Sequence, residues 1–329
     1  MNSAIIQAVV DKIKSSDRIV LASHLRPDGD SLCTSIALSM MLRSMGKEAD
    51  IINFDNTPFP FIHFEDIGMV QIGTIPQNFY DLAILLECAN VSRSGHDTLQ
   101  NTPIINIDHH HSNDYYADIN WVEPEAPAVA CLAYKLVIAL GVTLTSEMAN
   151  HLYCGIVSDT GSFQFSNTNA QAFEVCHHLV KKGADPVKVS AQLFRNNPPE
   201  KIILLGRVLS SLRLNDEGNI AVISMFKKDL ESLNLQKEID TEDIMTLVRS
   251  IKNVDMVLFF KEMKPDTYRV SLRSRGEANS ARVAEYFEGG GHLHAAGFTV
   301  IGPFDQLMRD VPRTVSELIR KKPAGGNAE

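Results

Sequence analysis

The side chains best suited to chemistry in this sequence are carboxylates and imidazoles that stand where apolar runs end. Carboxylate oxygens and neutral imidazole nitrogens are ligands for divalent cations, so their clustering indicates a metal centre. Each such stretch therefore supplies candidate ligands, provided that the fold brings the stretches together. Four of them lie in the first half of the chain: "SHLRPDGDS" (23–31), "LLECAN" (85–90), "NIDHHHSND" (106–114) and "GIVSDTGSFQFSNT" (155–168).

The first stretch supplies His24, Asp28 and Asp30 within seven residues. A proline and a glycine among them favour a turn, so the polar side chains can converge instead of alternating between two faces. One imidazole and two carboxylates are typical of a loop that binds a divalent metal. The competing interpretation is a helix N-cap formed by Asp30 or Ser31, and the stretch by itself leaves both open.

The third stretch ends a predicted strand with Asp108 and then places His109, His110 and His111 on consecutive residues. A lone histidine in this place would more often be structural. Several histidines beside an aspartate favour a metal site, because neutral imidazole is a common ligand and a carboxylate can orient its ring.

Two further acids complete the pattern. Asp159 ends an apolar stretch, where helix capping is again the competing interpretation. Glu87 closes a predicted strand, where a buried acid is costly unless it is paired or bound to a cation. At least three carboxylates and two histidines suit a pair of Mn²⁺ or Mg²⁺ ions better than one zinc ion. Paired ions activate water and neutralise phosphoryl oxygens, so the expected chemistry is attack on a phosphate ester.

The elements that must position these side chains predict a doubly wound α/β domain. The apolar strands are nearly continuous, which is typical of a parallel sheet covered on both faces, and helical patterns alternate with them. Ligands of such sheets bind at the carboxyl ends of the strands, where the candidate residues stand. The predicted strands are 18–23, 48–53, 81–87 and 102–108, and the predicted helices are 3–15, 31–46, 127–140 and 145–157.

The sequence pattern of the second half predicts a smaller α/β domain with an anion site. The glycines of "GGGH" (289–292) let backbone N–H groups approach an anion closely, and His292 and Arg273 can hydrogen-bond to phosphate. A plain glycine turn and a surface arginine are the competing interpretation. The predicted helical stretches are 170–182, 186–213 with a break at "NNPPE" (196–200), and 280–287, and the predicted strands are 219–225, 254–263 and 268–274.

Length and composition set the broad class of the protein. A chain of 329 residues favours two domains, and its net charge of −9 argues against broad binding of duplex nucleic acid. Its five cysteines form no CxxC pair, so we expect neither a disulfide framework nor a structural zinc site. Without a bilayer-spanning run or a signal-peptide core, we expect a cytoplasmic protein. The predicted parts are a catalytic domain 1–185, a helical linker 186–215, a substrate-binding domain 216–322 and a disordered tail 323–329.

Together with "SLRSRG" (271–276) and "GGGHLHAAGF" (289–298), the first, third and fourth stretches occur in an order that resembles the DHH/DHHA1 phosphoesterase family. Within this family the chain is similar to the branch of nano-RNases and pAp phosphatases, and the motifs span residues 24–298. The resemblance implies a Rossmann-like DHH domain with a mostly parallel sheet, a helical linker and a smaller α/β DHHA1 domain. It places the active site in the cleft between the two domains.

The resemblance also implies roles for single residues, including ligands for two divalent ions. Mn²⁺ is the expected metal, with Mg²⁺ or Co²⁺ as substitutes. Asp108 is expected behind His109 as an orienting residue and His110 beside the scissile phosphate, so that these residues and Asp30 form the catalytic set. The first ion is expected on His24, Asp28 and Glu87, and the second on Asp30, Glu87, His109 and Asp159.

The second domain is expected to grip the distal phosphate or the terminal nucleotide of the substrate. One departure from the family pattern is Glu87, since the family usually has an aspartate there. Glutamate is one methylene longer and can still bridge two ions, with a changed separation or metal preference. The expected grip consists of Ser271, Arg273, Gly290, Gly291 and His292.

The function that the resemblance implies is hydrolysis of very short oligoribonucleotides to mononucleotides by water activated between two metals, with release of the 3′-phosphate from pAp as a second activity. The alternative is hydrolysis of cyclic di-AMP or its linear product pApA. A lesser alternative is a nucleotide-binding regulator without catalysis. The expected partners are short oligonucleotides or small nucleotides, with no long duplex and no membrane, and relatives suggest a homodimer.

Overall fold

The computed structural model describes residues 2–59, 61–99, 101–235 and 241–320. The chain divides into two compact units, Met1–Asn196 and Asn197–Glu329. The predicted disordered tail 323–329 lies outside the described residues. Within the described ranges, no helix is long and apolar enough to cross a membrane.

The first unit is built on a six-stranded sheet in which neighbouring strands are all parallel. Its strands are β1 (Arg18–Ser23), β2 (Glu48–Asn53), β3 (Val70–Ile72), β4 (Leu82–Leu86), β5 (Ile104–Asp108) and β6 (Ile119–Val122). They lie in the order β3-β2-β1-β4-β5-β6. The chain therefore winds outward from β1 in one direction and from β4 in the other, which leaves a crevice where these two strands end.

The helices of this unit are α1 (Asn2–Lys14), α2 (Gly29–Ser44), α3 (Val129–Ala139), α4 (Ser146–Asp159), α5 (Ala170–Lys181) and α6 (Pro186–Phe194). Apolar side chains of α2, α3 and α4 pack with the sheet in the largest core cluster, and the first eleven residues of α2 are all buried. The opposite face of β1 and β4 buries a smaller apolar cluster. Both faces are thus covered, as the continuous apolar strands predict.

The second unit has a mixed sheet in the order β11-β12-β10-β9-β8-β7, in which only the pair β8 and β9 is parallel among the described strands. Its strands are β7 (Arg213–Leu214), β8 (Ile220–Met225), β9 (Met256–Lys264), β10 (Thr267–Ser274), β11 (Gly290–His292) and β12 (Ala295–Ile301). Its helices are α7 (Pro199–Ser210), α8 (Lys227–Glu231), α9 (Glu242–Arg249), α10 (Ser280–Tyr286) and α11 (Phe304–Arg320).

Alternation along β10 divides this sheet into two faces. Val270 and Leu272 are buried in an apolar cluster with α10 and α11. The residues between and beside them, Arg269, Ser271 and Arg273, lie on the other face. On that face α7 and α9 cover β8 and β9 with a second apolar cluster.

The structure confirms the predicted α/β class, and the predicted strands and helices appear within a few residues of their expected bounds. The sequence analysis did not assign β3, β6, β7, β11, β12, α8, α9 and α11. β12 reads "AAGFTVI", in which small residues weaken the strand pattern, and α11 contains Pro312, which is atypical of a helix interior.

The predicted linker 186–215 contains two helices with different partners. α6 packs against α4 in the first unit, and α7 packs against β8 and α9 in the second. The chain passes between the units within "NNPPE" (196–200), whose prolines interrupt the helical pattern. The predicted domain boundaries remain predictions.

Candidate metal centre

The crevice between β1 and β4 brings together residues that are distant in sequence. Ser23 at the end of β1 and Leu86 at the end of β4 stand opposite each other in the parallel register. His24 and Glu87, the next residues on each chain, therefore leave the sheet side by side at the carboxyl edge. This is the place where ligands bind in doubly wound sheets.

The loop after β1 leads into α2, whose N-cap is Asp28. Oδ1 of Asp28 accepts a hydrogen bond from the backbone N–H of Ser31 at 3.0 Å, and the hydroxyl of Ser31 accepts one from the backbone N–H of Asp28 at 3.2 Å. The cap is thus Asp28 and not Asp30 or Ser31, because the helix begins at Gly29. Capping uses Oδ1, so Oδ2 of Asp28 remains for another partner.

His24 is buried, and its ring is oriented by the backbone. Nδ1 donates a hydrogen bond to the carbonyl oxygen of Leu25 at 2.8 Å, so Nε2 carries the lone pair of the neutral ring. Nε2 lies 3.6 Å from Oδ2 of Asp28 and 3.5 Å from Oε2 of Glu87. These distances are long for hydrogen bonds but close to the roughly 3.0–3.5 Å between two ligands that each lie about 2.1 Å from one ion.

The ligand atoms of His24, Asp28 and Glu87 all lie within 4.8 Å of one another. Glu87 is 1% exposed, and its Oε1 has no hydrogen-bond partner among the described residues. Its φ of +57° is uncommon for a residue other than glycine. A buried carboxylate with an unpartnered oxygen is costly without a cation, so this group of three fits one divalent ion.

Asp30 is fully buried and anchors the N-terminus of α3. Its Oδ2 accepts a hydrogen bond from the backbone N–H of Val129 at 2.5 Å, and its Oδ1 accepts from the N–H of Ala130 and the hydroxyl of Thr34, both at 3.0 Å. The N-cap residue of α3, Ala128, has no capping side chain of its own. Asp30 therefore does the work of a cap from 99 residues away in sequence.

His109 and Asp159 repeat the arrangement of His24 with its acids. Nδ1 of His109 donates to the carbonyl oxygen of Ala126 at 2.9 Å, and Nε2 lies 3.6 Å from Oδ2 of Asp159. Asp159 is the last residue of α4, and its Oδ2 also accepts a hydrogen bond from Nδ2 of Asn167 at 3.1 Å. A backbone carbonyl thus fixes the tautomer of both rings, a frequent arrangement for metal-binding histidines.

Asp108 contacts the ring of His110 and only the backbone of His109. Its Oδ1 accepts hydrogen bonds from the backbone N–H groups of His109 at 2.7 Å and His110 at 3.1 Å, and from Nδ1 of His110 at 2.7 Å. Its Oδ2 accepts from Nδ2 of Asn113 at 2.5 Å. The structure thus differs from the expectation that Asp108 orients the ring of His109, because the turn after β5 folds the ring of His110 back onto it. His111 is exposed.

The carboxylates of the site repel one another in the metal-free protein. Burial raises the pKa of Glu87 well above its usual range, and Asp28 and Asp30 raise it further. Burial, followed by the charge of Asp30, raises the pKa of Asp159 to about 7, although His109 opposes this shift. At His109, burial lowers the pKa, but the charge of Asp159, the hydrogen bond to the carbonyl of Ala126 and the charges of Asp30 and Asp108 together outweigh it, and the pKa is raised. A cation at this place would relieve the repulsion.

The predicted substrate residues lie together in the second unit. The register of the sheet places His292 opposite Ala295 and Ala295 opposite Arg273. Gly291 has a φ of +148°, and a Cβ there would collide with Ala296, so a glycine is required. Ser271 and Arg273 lie on β10, and Gly290, Gly291 and His292 form β11.

The sequence analysis missed the residues that support the candidate ligands. Asn113 and Asn167 hold Asp108 and Asp159, and both lie within the quoted stretches, where an asparagine shortly after a candidate acid was a usable signal. The carbonyl groups of Leu25 and Ala126 leave no such signal, because any residue supplies one.

Two family profiles match the chain. The N-terminal domain of the DHH family matches residues 18–156, and the DHHA1 domain matches residues 217–321. Among curated relatives, a Thermus thermophilus protein described as bifunctional oligoribonuclease and PAP phosphatase NrnA is 31% identical over 301 residues, covering 91% of this chain and 89% of that protein. A Bacillus subtilis protein with the same description is 26% identical over 318 residues, covering 94% of this chain and 98% of its own length.

Solved structures show the same fold. An exopolyphosphatase-related protein from Bacteroides fragilis superposes with a TM-score of 0.83 at 25% identity, covering 96% of each chain. A structure of the exonuclease RecJ bound to manganese superposes with a TM-score of 0.52 at 14% identity, covering 96% of this chain and 94% of that one. The second likeness concerns the fold alone.

Proposed function

Because this chain belongs to the DHH family and also carries a DHHA1 domain, we propose that it is a metal-dependent phosphoesterase that cleaves short oligoribonucleotides to mononucleotides and removes the 3′-phosphate of pAp. The observation that carries the proposal is the group His24, Asp28 and Glu87 at the crevice of the sheet, with its unpartnered buried oxygen. The names of the relatives favour these substrates over cyclic di-AMP.

The donor set suits two divalent ions, and Mn²⁺ is the metal we propose. The carboxylate oxygens suit Mn²⁺ as they suit Mg²⁺, and the two imidazoles favour a transition metal over Mg²⁺. His24, Asp28 and Glu87 would hold one ion. His109 and Asp159 would hold the other ion, with Glu87 and Asp30 as its further ligands. When bound, such ions activate water and neutralise the phosphoryl oxygens.

The chain's own residues have distinct tasks in this proposal. Asp108 accepts a hydrogen bond from Nδ1 of His110, which orients the ring and directs Nε2 away from the carboxylate. Nε2 can then donate a hydrogen bond to a phosphoryl oxygen or a proton to the leaving oxygen. Asp30 ties α2 to α3 and so keeps the two ends of the site in fixed positions.

The second unit would hold the rest of the substrate. A planar guanidinium such as that of Arg273 binds phosphate through two N–H groups, and the exposed backbone of Gly290 lets an anion approach closely. His292 would add a further donor. Single-stranded substrates of a few nucleotides are the expected ligands, and we retain the predictions of a homodimer and of a cytoplasmic location.

The first test is a hydrolysis panel in the presence of Mn²⁺. The substrates are pApA, a five-nucleotide RNA, a long single strand, pAp, cyclic di-AMP and pyrophosphate, and Asp159→Ala serves as the inactive control. Rapid cleavage of pApA and the pentamer with the long strand nearly untouched is the expected result. Preferred cleavage of cyclic di-AMP would replace the proposed substrate class.

A second test separates metal binding from folding. Glu87→Gln keeps the shape of the side chain but replaces a carboxylate oxygen with an amide that binds metal poorly. We expect activity to fall by at least about a hundredfold and the thermal stabilisation by Mn²⁺ to shrink. The melting temperature of the metal-free variant should equal or exceed that of the metal-free wild type, because the amide avoids the cost of a buried carboxyl group that must either bind a proton or ionise beside Asp28 and Asp30. Full activity in the variant would remove Glu87 from the proposed ligand set.

A further inference from the structure

Three rows of residues cross β10, β12 and β11 on the face of the second sheet that α7 and α9 cover only at β8 and β9. The first row is His292, Ala295 and Arg273, the second is Gly290, Gly297 and Ser271, and the third is Thr299 and Arg269. Residues directly opposite in antiparallel strands share a face, so all three rows lie on one surface. The predicted substrate residues account for the first two rows only.

The third row has the features of an anion site. Arg269 is exposed, and among the described residues its guanidinium has no hydrogen-bond or ion-pair partner. It stands opposite Thr299, whose hydroxyl is a second donor. An arginine without an acidic partner on an otherwise acidic protein is free to bind phosphate through its planar fork.

A cavity of about 450 Å³ adjoins this row. This volume lies within the range of small-ligand sites. Gly289 and Gly297 leave part of its wall without side chains, Ile301 offers an apolar surface that is 77% exposed, and Glu288 can accept a hydrogen bond from a sugar hydroxyl. Phosphate, sugar and base each find a partner of suitable chemistry here.

The spacing of the rows fits successive phosphates of one strand. Arg269 and Arg273 are four residues apart on β10, which corresponds to about 13 Å between their Cα atoms. The row between them contains only glycine and serine, so no large side chain of that row separates the two arginines. The phosphates of neighbouring nucleotides are six bonds apart, or roughly 7 Å, and two flexible arginine side chains can reach both.

We propose that Arg269, with Thr299 and the cavity bounded by Gly289, Glu288 and Ile301, forms a second phosphate and nucleotide subsite. Substrates with at least two phosphates besides the scissile one occupy it. This subsite rests on the proposed function, because it gives the longer of the short oligoribonucleotides a binding surface beyond Arg273. Dinucleotides and pAp carry too few phosphates to use it.

The test compares pApA, which has one phosphate besides the scissile one, with pApApA, which has two. In the full-length Mn²⁺-loaded enzyme, Arg269→Gln should raise KM about tenfold for pApApA and less than twofold for pApA, with kcat unchanged for both. Arg269→Lys should raise KM for pApApA by less than Arg269→Gln does, because the charge remains although the planar fork is lost. Arg273→Ala should raise KM for both substrates.

The matched control is Arg309→Gln, which removes the same charge from α11, the helix that packs on the opposite face of the sheet. We expect it to change neither KM. The slope of log affinity against log salt for pApApA should also fall by about 0.7 in Arg269→Gln, the value for one lost phosphate contact on a single strand.

Equal changes for both substrates, or no change for either, would overturn the second subsite. If the wild-type enzyme hydrolyses neither substrate, the proposed function fails. The subsite can then still be tested by measuring the dissociation constants of the same two oligonucleotides. The wild type should bind pApApA more tightly than pApA, and Arg269→Gln should bind both equally.

Discussion

At the scale of single residues, two adjacent histidines are set apart by what their Nδ1 atoms contact. Nδ1 of His109 donates to a backbone carbonyl, so that the neutral form of the ring directs its Nε2 lone pair toward Asp159. Nδ1 of His110 donates to the buried carboxylate of Asp108, which turns Nε2 of that ring away from Asp108. Identical side chains therefore suit opposite tasks, one as a metal ligand and the other as a hydrogen-bond donor.

The first prediction concerns His110. In His110→Gln the donor opposite Asp108 is displaced, so kcat for pApA should fall by about 10²–10³, the usual size of a lost acid–base group. The affinity for Mn²⁺, measured by titration calorimetry, should change little because the proposed ligands remain. His111→Gln is the control, since this neighbouring side chain is exposed, and its kcat should equal that of the wild type. A large loss of Mn²⁺ affinity in His110→Gln would make His110 a ligand instead.

At the scale of elements, the site depends on how closely three helices approach. α2 and α4 pack against each other and against α3. All three helices come close together at Gly155 in α4, where an added Cβ would lie 2.5 Å from Oδ1 of Asp30 and 2.9 Å from Cβ of Ala130. A glycine in this buried helical position lets Asp30 reach the N-terminus of α3, which compensates for the low helix propensity of glycine.

The second prediction follows from this contact. Gly155→Ala should lower the free energy of unfolding by about 1–3 kcal/mol through overpacking, and should reduce kcat/KM because Asp30 is displaced. Gly206→Ala is the matched control, since Gly206 lies in α7 with no atom within 4 Å of an added Cβ. It should raise stability by up to about 1 kcal/mol through helix propensity alone. Urea unfolding of both variants measures the difference in the free energy of unfolding. If Gly155→Ala changes neither this free energy nor kcat/KM, the helices are not held at this distance.

At the scale of the whole molecule, the excess of negative charge is partly concentrated in one place. The net charge is −9, and Asp28, Asp30, Glu87 and Asp159 converge at the end of a single sheet. A fold that buries these acids together is destabilised by their repulsion when they are all ionised. Stability therefore depends on bound cations and on pH.

The third prediction states that dependence. The pKa of Asp159 is raised from 3.8 to about 7 in the folded metal-free protein, so the folded state binds the proton more tightly than the unfolded state. Stability from this group is present at low pH and is lost as the pH rises from about 4 to about 7. Metal binding also becomes stronger over this range, because its ligands must lose their protons.

The difference in melting temperature between the Mn²⁺-loaded and the chelated protein should therefore be several degrees larger at pH 8 than at pH 5. Asp159→Asn in chelator is the control, and its melting temperature should depend less on pH than that of the chelated wild type. An equal gap at both pH values would contradict the proposed coupling between Asp159 and the metal.

Local sequence patterns are enough to predict the elements that end at the site and the chemistry of the candidate ligands. Continuous apolar runs such as 81–87 and the acids and histidines that close them are local features, and the parallel class of the sheet follows from their alternation with helices. The ordered motifs also indicated the family. The contacts of these residues with residues far away in the sequence could not be predicted from such local features.

The partners that these side chains contact depend on the tertiary structure. Asp30 reaches the N-terminus of α3, Asp108 turns to His110, and Arg269 falls into a row with Thr299. Each of these depends on strand register or on the approach of elements far apart in sequence. A shift of one residue in the pairing of β10 and β12 would move Arg269 out of that row without changing any local pattern. Periodicity and side-chain chemistry are properties of short segments, whereas register and helix contact are set by the packing of the whole unit.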